Sequence, residues 1–373
     1  MMTDKTVIAG LRGVVAAETR LSSVDGLAGE LIIAGYPLEE LALNATFEQT
    51  VYLLWNDRLP NADELSAFSK DLIARRVLPE ATIALLRSAS EKRIPVMDAL
   101  RMGASTLSLN VSDDDMSGAA MTLIATFPTI IASYWRLMNG EEPIAPNPDL
   151  NHAANYLYML TGEVPSDEQA RALETYLNTV VDHGLNASTF TARVIVSTES
   201  DMISAIVGAL GALKGRLHGG APGPALDMVF EIGTKANAEP HLRGLLDKGE
   251  RLMGFGHRVY KVRDPRADVL NMAAERFFVS GAEAELYDLV KYVEGEAVRL
   301  LEEYKPDRKL QTNVEFYTAL ILHGIGLSTD MFTPTFAIGR VAGWTAHAFE
   351  QHSEGTLIRP SSLYVGDKDR RWA

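Results

Sequence analysis

The chain has 373 residues, enough for about two domains at ~150 residues each, with 47% hydrophobic and 23% charged residues and no low-complexity tract, as in a globular protein with a large core. It contains no cysteine, which rules out disulfides, thiolate metal sites and a Cys nucleophile and fits a reducing interior. The net charge of −14 argues against nucleic acid as a general partner. With no signal-peptide core and no run of about 18 apolar residues, a cytoplasmic protein without a membrane partner is expected.

In chain order, Thr6 to Pro37 reads as small strands, VIAGLRGVV and then VDGLAGELIIAGYP, with Asp25-Gly26 as the turn signal. From Thr46 the helical pattern takes over, and capping boxes open three helices: Thr46 with Gln49, Asn61 with Glu64, and Ser166 with Gln169. After Ser166, the residues Leu173, Tyr176, Leu177, Val180 and Val181 recur on one helical face, and the segment ends at His183. The segments around Pro60 and Pro165 share loop-to-cap chemistry and are not a repeat. Met202 to Leu213 is apolar with small residues on several sides, which predicts a buried helix closely packed by a neighbour. It runs into LHGGAPGP, a hinge or ligand loop. Helical periodicity resumes to about Leu301, and a solvated loop follows at KPDRK. After Thr312 to Tyr317 come a long apolar helix, the stretch Met331 to Pro334, a last helix carrying Arg340, and a tail with Arg359-Pro360. Strand-like sequence is confined to the N-terminus and Ser361 to Val365, so the expected fold is all-α with a minor N-terminal β element.

The densest chemistry lies at Arg251 to Arg266, RLMGFGHRVYKVRDPR. Gly254 and Gly256 allow close backbone approach, His257 follows them, and Arg258, Lys261, Arg263 and Arg266 set local positive charge against an acidic chain. That combination suits a small polyanion, although Gly-Phe-Gly as a helix cap and the arginines as a solvated face stay open at this point. Val259 stands where a dinucleotide fingerprint needs its third glycine. None of the eight histidines pair at the i, i+4 spacing of a zinc helix, His347 and His352 falling at i, i+5 on different faces, so no metal is expected. Neither a G-x-S-x-G elbow nor a phosphate loop occurs. His218, His257 and Glu315 sit in three polar or glycine-associated stretches. Brought into one cleft, they would combine imidazoles that hydrogen-bond a developing oxyanion with a carboxylate that accepts a proton. Taken singly, each is more simply a packed ring or one of 49 acids.

Together, VDHGLNASTFTARV, LHGGAPGP, RLMGFGHRVYKVRDPRA, NVEFYTA, MFTPTFAIGRVAGW and IRPSSLYVG resemble the citrate synthase family, in family order and over nearly the whole chain. The resemblance implies an almost wholly helical homodimer whose active site closes between a large domain, residues 1–218 and 327–373, and a small, mobile domain, residues 219–326. It implies that His218 hydrogen-bonds the thioester oxygen of acetyl-CoA and that His257 meets the carbonyl of oxaloacetate. Arg266, Arg340 and Arg359 would bind carboxylates, Arg359 from the other subunit, and His183 would be a further oxaloacetate ligand. Met253, Gly254, Phe255, Gly256 and Lys261 would lie along coenzyme A. The implied reaction joins acetyl-CoA, oxaloacetate and water into citrate and free CoA with no permanently bound cofactor and no metal.

The departure is Glu315, where the family motif has an Asp as the base. Thr318-Ala319 also replaces a common Ser-Gly pair. The longer carboxylate shifts by about 1 Å, which puts turnover and acyl preference in question. Two alternatives follow: 2-methylcitrate synthesis from propionyl-CoA, because one methylene changes selectivity by only about 1–3 kcal/mol, or a weakly active or non-catalytic CoA-binding relative. The chain starts almost directly with the family fold, so no added NADH-binding regulatory domain is expected.

Overall fold

The computed structural model describes residues 7–219, 222–257, 259–278 and 284–372. Gly220 and Ala221 of the predicted loop and the cation Arg258 lie outside them. Among the described residues there are sixteen α-helices and one three-stranded sheet, mainly α with a minor N-terminal β element as the sequence pattern predicts. The expected strand VIAGLRGVV does not form: Ala9–Leu11 is a short 3-10 helix, and the residues around it are exposed turn and coil with no ladder partner among the described residues. The sheet is an antiparallel meander. β1 (Ser22–Asp25) pairs with β2 (Glu30–Ile33) in the register Ser22 to Ile33, and β3 (Tyr36–Pro37) adds to β2. Asp25 closes the turn by accepting the backbone N–H groups of Leu27 and Ala28 at 2.8 and 2.9 Å, bonds that hold its carboxyl below the usual range.

All three predicted capping boxes form, opening the helices Phe47–Asn56, Ala62–Ala74 and Asp167–Thr179. The core is built around two long helices, Met116–Met138 and Phe332–Glu354, which pack on each other and on Met202–Leu213. Met116–Met138 has the length and composition to cross a membrane, but 83% of its most apolar window is buried inside the fold, the mark of a core helix. Met202–Leu213 lies tightly against Ala187–Val196, with seven of its residues buried. A second group of helices, Pro265–Phe278, Ala284–Tyr304 and Val314–Gly324 among them, meets the first where Pro265–Phe278 and Val314–Gly324 pack on Asp167–Thr179.

The strand expected at Ser361 to Val365 does not form. The chain leaves the last helix at Gly355 and runs on as exposed coil. A strand needs a ladder partner, and no described segment lies alongside this one to supply the hydrogen bonds.

Candidate functional site

The site forms at the seam between the two helix groups. The glycine loop is fixed first. Phe255 bridges to Thr312, Gly256 donates to the Gln311 carbonyl at 2.7 Å, and Asn313 donates from its backbone to Gly254 O and from its side chain to Gly256 O, each at 2.9 Å. Gly254 has φ +85°, and a Cβ there would stand 2.8 Å from the Phe316 ring, so only glycine lets the loop lie against the helix Val314–Gly324. Met253 and Phe255 are half-buried along this loop. Lys261 is exposed, and its backbone N–H reaches the Gly26 carbonyl of the hairpin at 2.8 Å.

His257 is aimed by the same loop. Its Nδ1 accepts the N–H groups of Val259 and Tyr260 at 3.1 and 3.2 Å, so the neutral ring carries its hydrogen on Nε2. Burial, reinforced by Arg266, brings its pKa down to about 4 and keeps it neutral. Nε2 faces Arg266 Nη2 at 3.3 Å. Two donors therefore face each other with no acceptor joining them among the described residues, an arrangement that an electronegative substrate oxygen completes. His183 stands edge-on to His257 with ring centroids 5.7 Å apart, and its Nε2 is 3.1 Å from the Tyr260 hydroxyl. Burial, with the charges of Arg266 and Arg340, holds His183 well below the usual imidazole range.

The two buried arginines differ in how they are held. Asp264 grips Arg266 at Nε and Nη2, at 3.0 and 2.8 Å, and also accepts its backbone N–H. Burial opposes the Asp264 charge, but Arg266 beside it prevails and keeps the carboxyl below its ordinary value. Arg340, in the last long helix, rests its Nε on the Val180 carbonyl at 2.7 Å and lies over the Phe336 ring at 4.5 Å. It has no carboxylate within ion-pair distance among the described residues, and burial lowers it to about 10, with Asp182 acting only at longer range. A buried guanidinium without a counter-ion calls for an anion.

His218 belongs to a separate hydrogen-bond chain. Its Nε2 is 2.8 Å from Ser188 Oγ, which accepts Trp344 Nε1–H at 3.1 Å and lies 2.8 Å from Asn186 Oδ1. Ser188 has one proton to give. Directed at Asn186 it leaves His218 donating from Nε2, and directed at His218 it puts the ring hydrogen on Nδ1. Burial lowers this ring too, to about 4, with Arg340 adding to the effect. Glu315 occupies the first turn of Val314–Gly324, its N–H capped by Asn313 at 2.9 Å. Burial raises its carboxyl, only partly offset by Arg266, which makes it a stronger proton acceptor.

His183, His257 and Arg266 thus meet directly, and Glu315, Arg340 and His218 are tied to them through Asp264, the seam helices and the Ser188 chain. Arg359 is not brought in. It lies exposed on the tail, and no hydrogen bond or ion pair among the described residues joins it to the cluster. Sequence reasoning missed Asp264, Tyr260, Ser188 and Trp344, although an acid two residues before a buried Arg in RDPR was a readable signal. It also missed Glu294, whose buried carboxylate accepts from Arg263, Thr312, Tyr317 and Lys291 at 2.6 to 3.0 Å and so ties the loop to the Glu315 helix.

The family profile described as citrate synthase, C-terminal domain, matches residues 10–361. The chain is 41% identical to citrate synthase 2 of Bacillus subtilis, with 98% of each chain covered. It is 39% identical to 2-methylcitrate synthase of Mycobacterium tuberculosis, covering 97% of this chain and 91% of that one. In three dimensions it is similar to Thermoplasma acidophilum citrate synthase, solved as a ternary complex with carboxymethyl coenzyme A and oxaloacetate. There the TM-score is 0.87 at 29% identity, over 97% of this chain and 96% of that one.

Proposed function

Because the chain belongs to the citrate synthase family, we propose that it condenses acetyl-CoA with oxaloacetate and hydrolyses the product to citrate and CoA. The observation that carries this reading is Arg340, a buried cation without an ion pair among the described residues, close enough to Arg266 for the two charges to interact, with Arg266 in turn beside the Nε2–H of His257. A dicarboxylate fits the two guanidiniums, and its keto oxygen fits the paired donors at His257.

In the proposed cycle Glu315 removes a methyl proton from the thioester. His218 hydrogen-bonds the enolate oxygen from Nδ1, which requires the Ser188 proton to turn toward Nε2. The enolate carbon then attacks the oxaloacetate keto carbon while His257 and Arg266 hold the oxygen, which takes up a proton in place of the one Glu315 removed to give citryl-CoA, and water cleaves the thioester to citrate and the free thiol of CoA. His183 completes the oxaloacetate site, and the loop 253–256 with Lys261 contacts coenzyme A as a co-substrate, with no permanent cofactor. The small domain, residues 219–326, moves over the large one, residues 1–218 and 327–373. The Lys261 to Gly26 and His183 to Tyr260 contacts are those that opening would break. The working unit is a cytoplasmic homodimer in which Arg359 reaches the partner's site. In support, the tail around it exposes Leu357, Leu363, Tyr364 and Val365 by 52% to 89%, a strip that a partner would cover. A second reading, 2-methylcitrate synthesis, is favoured by the long Glu315 carboxylate and the M. tuberculosis relative. Thiol release with acetyl-CoA or propionyl-CoA, each with and without oxaloacetate, separates the two. Oxaloacetate-dependent release greatest with acetyl-CoA is expected, and none with either thioester would overturn both.

A further inference from the structure

Tyr176 stands on the helix Asp167–Thr179, which packs against both Pro265–Phe278, the helix of Arg266, and Phe332–Glu354, the helix of Arg340. The ring is fully buried, and its hydroxyl meets no hydrogen-bond partner among the described residues. Buried hydroxyls nearly always have a partner, so an orphan marks a place where one is missing. The nearby Tyr156 shows the ordinary arrangement, with its hydroxyl 3.0 Å from Thr335 Oγ1. Four residues along from Tyr176, the Val180 carbonyl accepts Arg340 Nε, so one stretch of backbone seats both the phenol and the guanidinium. Burial raises the phenol's pKa, and the nearby charges of Arg340 and Arg266 oppose it. Asp264 already occupies two nitrogens of Arg266, whereas Arg340 has no carboxylate of its own among the described residues.

We propose that Tyr176 is a substrate contact whose hydroxyl donates a hydrogen bond to a carboxylate oxygen of the 2-oxo dicarboxylate held at Arg340. The inference rests on the reading that this site takes oxaloacetate. A carboxylate oxygen only accepts, so it suits a phenol that lacks a partner. Being neutral, the phenol holds the anion without a third cation, which would depress the neighbouring imidazoles further.

The test is calorimetric titration of oxaloacetate into the wild-type, Tyr176→Phe and Tyr156→Phe proteins, with thermal melts of each alone. Tyr176→Phe is expected to weaken oxaloacetate binding roughly 10- to 100-fold, as for loss of a hydrogen bond to a charged group. Its melting temperature without ligand is expected to stay level or rise, because the deleted hydroxyl had no partner. Tyr156→Phe is expected to melt lower and bind normally. Wild-type affinity in Tyr176→Phe, or a melting temperature lowered as far as in Tyr156→Phe, would overturn the proposal by showing a purely structural hydroxyl. Failure of the wild-type chain itself to bind oxaloacetate would instead overturn the proposed function.

Discussion

Shortening Glu315, the proposed base, is the most informative single change. Glu315→Asp removes one methylene and retracts the carboxylate by about 1 Å. Whether the protein can follow that retraction depends on how firmly the first turn of Val314–Gly324 is held. Val314 N–H donates to Asp264 at 3.3 Å, Glu315 N–H to Asn313 at 2.9 Å, and Asn313 in turn to the carbonyls of Gly254 and Gly256. Phe316 lies so close to Gly254 that not even a Cβ fits between them. Below the turn, Glu294 accepts Thr312 Oγ1–H at 2.8 Å and Tyr317 O–H at 2.6 Å. The backbone is therefore pinned on several sides and cannot advance by 1 Å. Condensation should fall roughly 100-fold, about 2.7 kcal/mol of barrier. Thiol release at saturating substrates measures the rate, and the melting shift induced by oxaloacetate checks that the oxaloacetate site is intact. An Asp variant as fast as wild type, or faster, would show that the loop still holds the geometry of the shorter acid.

Arg340→Met keeps volume and removes the buried charge. The apo protein should gain about 1–3 kcal/mol, since relief of a desolvated cation exceeds the lost bond to Val180 O, while oxaloacetate binding falls by about 3–5 kcal/mol. A loss of apo stability would mean that the guanidinium has an internal counter-ion after all. Acid should weaken the fold. His218 and His257 have folded pKa values near 4 against an unfolded 6.5, so unfolding takes up protons between those values. Their stabilisation is complete above pH 6.5 and is lost as pH falls through 4, by up to about 3 kcal/mol per ring. Glu315, raised by burial, acts in the opposite sense above its unfolded value and offsets part of that change. Melting temperatures that stay flat from pH 7 to pH 4.5 would contradict this balance. Heterodimers combining Arg359→Ala with His257→Ala subunits should regain one working site each, and verified heterodimers without activity would place Arg359 outside its partner's site.

Local chemistry made much of this legible in the sequence. Capping boxes depend on residues three apart, and all three form as read. The turn at Asp25-Gly26 and the tight packing of Met202–Leu213 depend on short patterns as well. What escaped was assembled from distant segments. Glu294 meets Arg263 and Tyr317 across 31 and 23 residues, and nothing near it in sequence marks it as more than one acid on an amphipathic helix. His347, considered only as a metal ligand, is instead buried between Asp182, next to the site residue His183, and Arg193, with ring nitrogens 3.2 and 3.1 Å from them. Ser361 to Val365 was misread because residue type reports only strand propensity, whereas a strand exists only beside a partner.

Glu315→Gln isolates the proposed general base, because it keeps the shape of the side chain and removes the proton acceptor. With oxaloacetate affinity shown by calorimetry to stay near wild type, citrate formation from acetyl-CoA is expected to fall by roughly 100- to 10,000-fold, the range lost with a general base. A Gln variant that binds oxaloacetate normally and still makes citrate at close to the wild-type rate would contradict it.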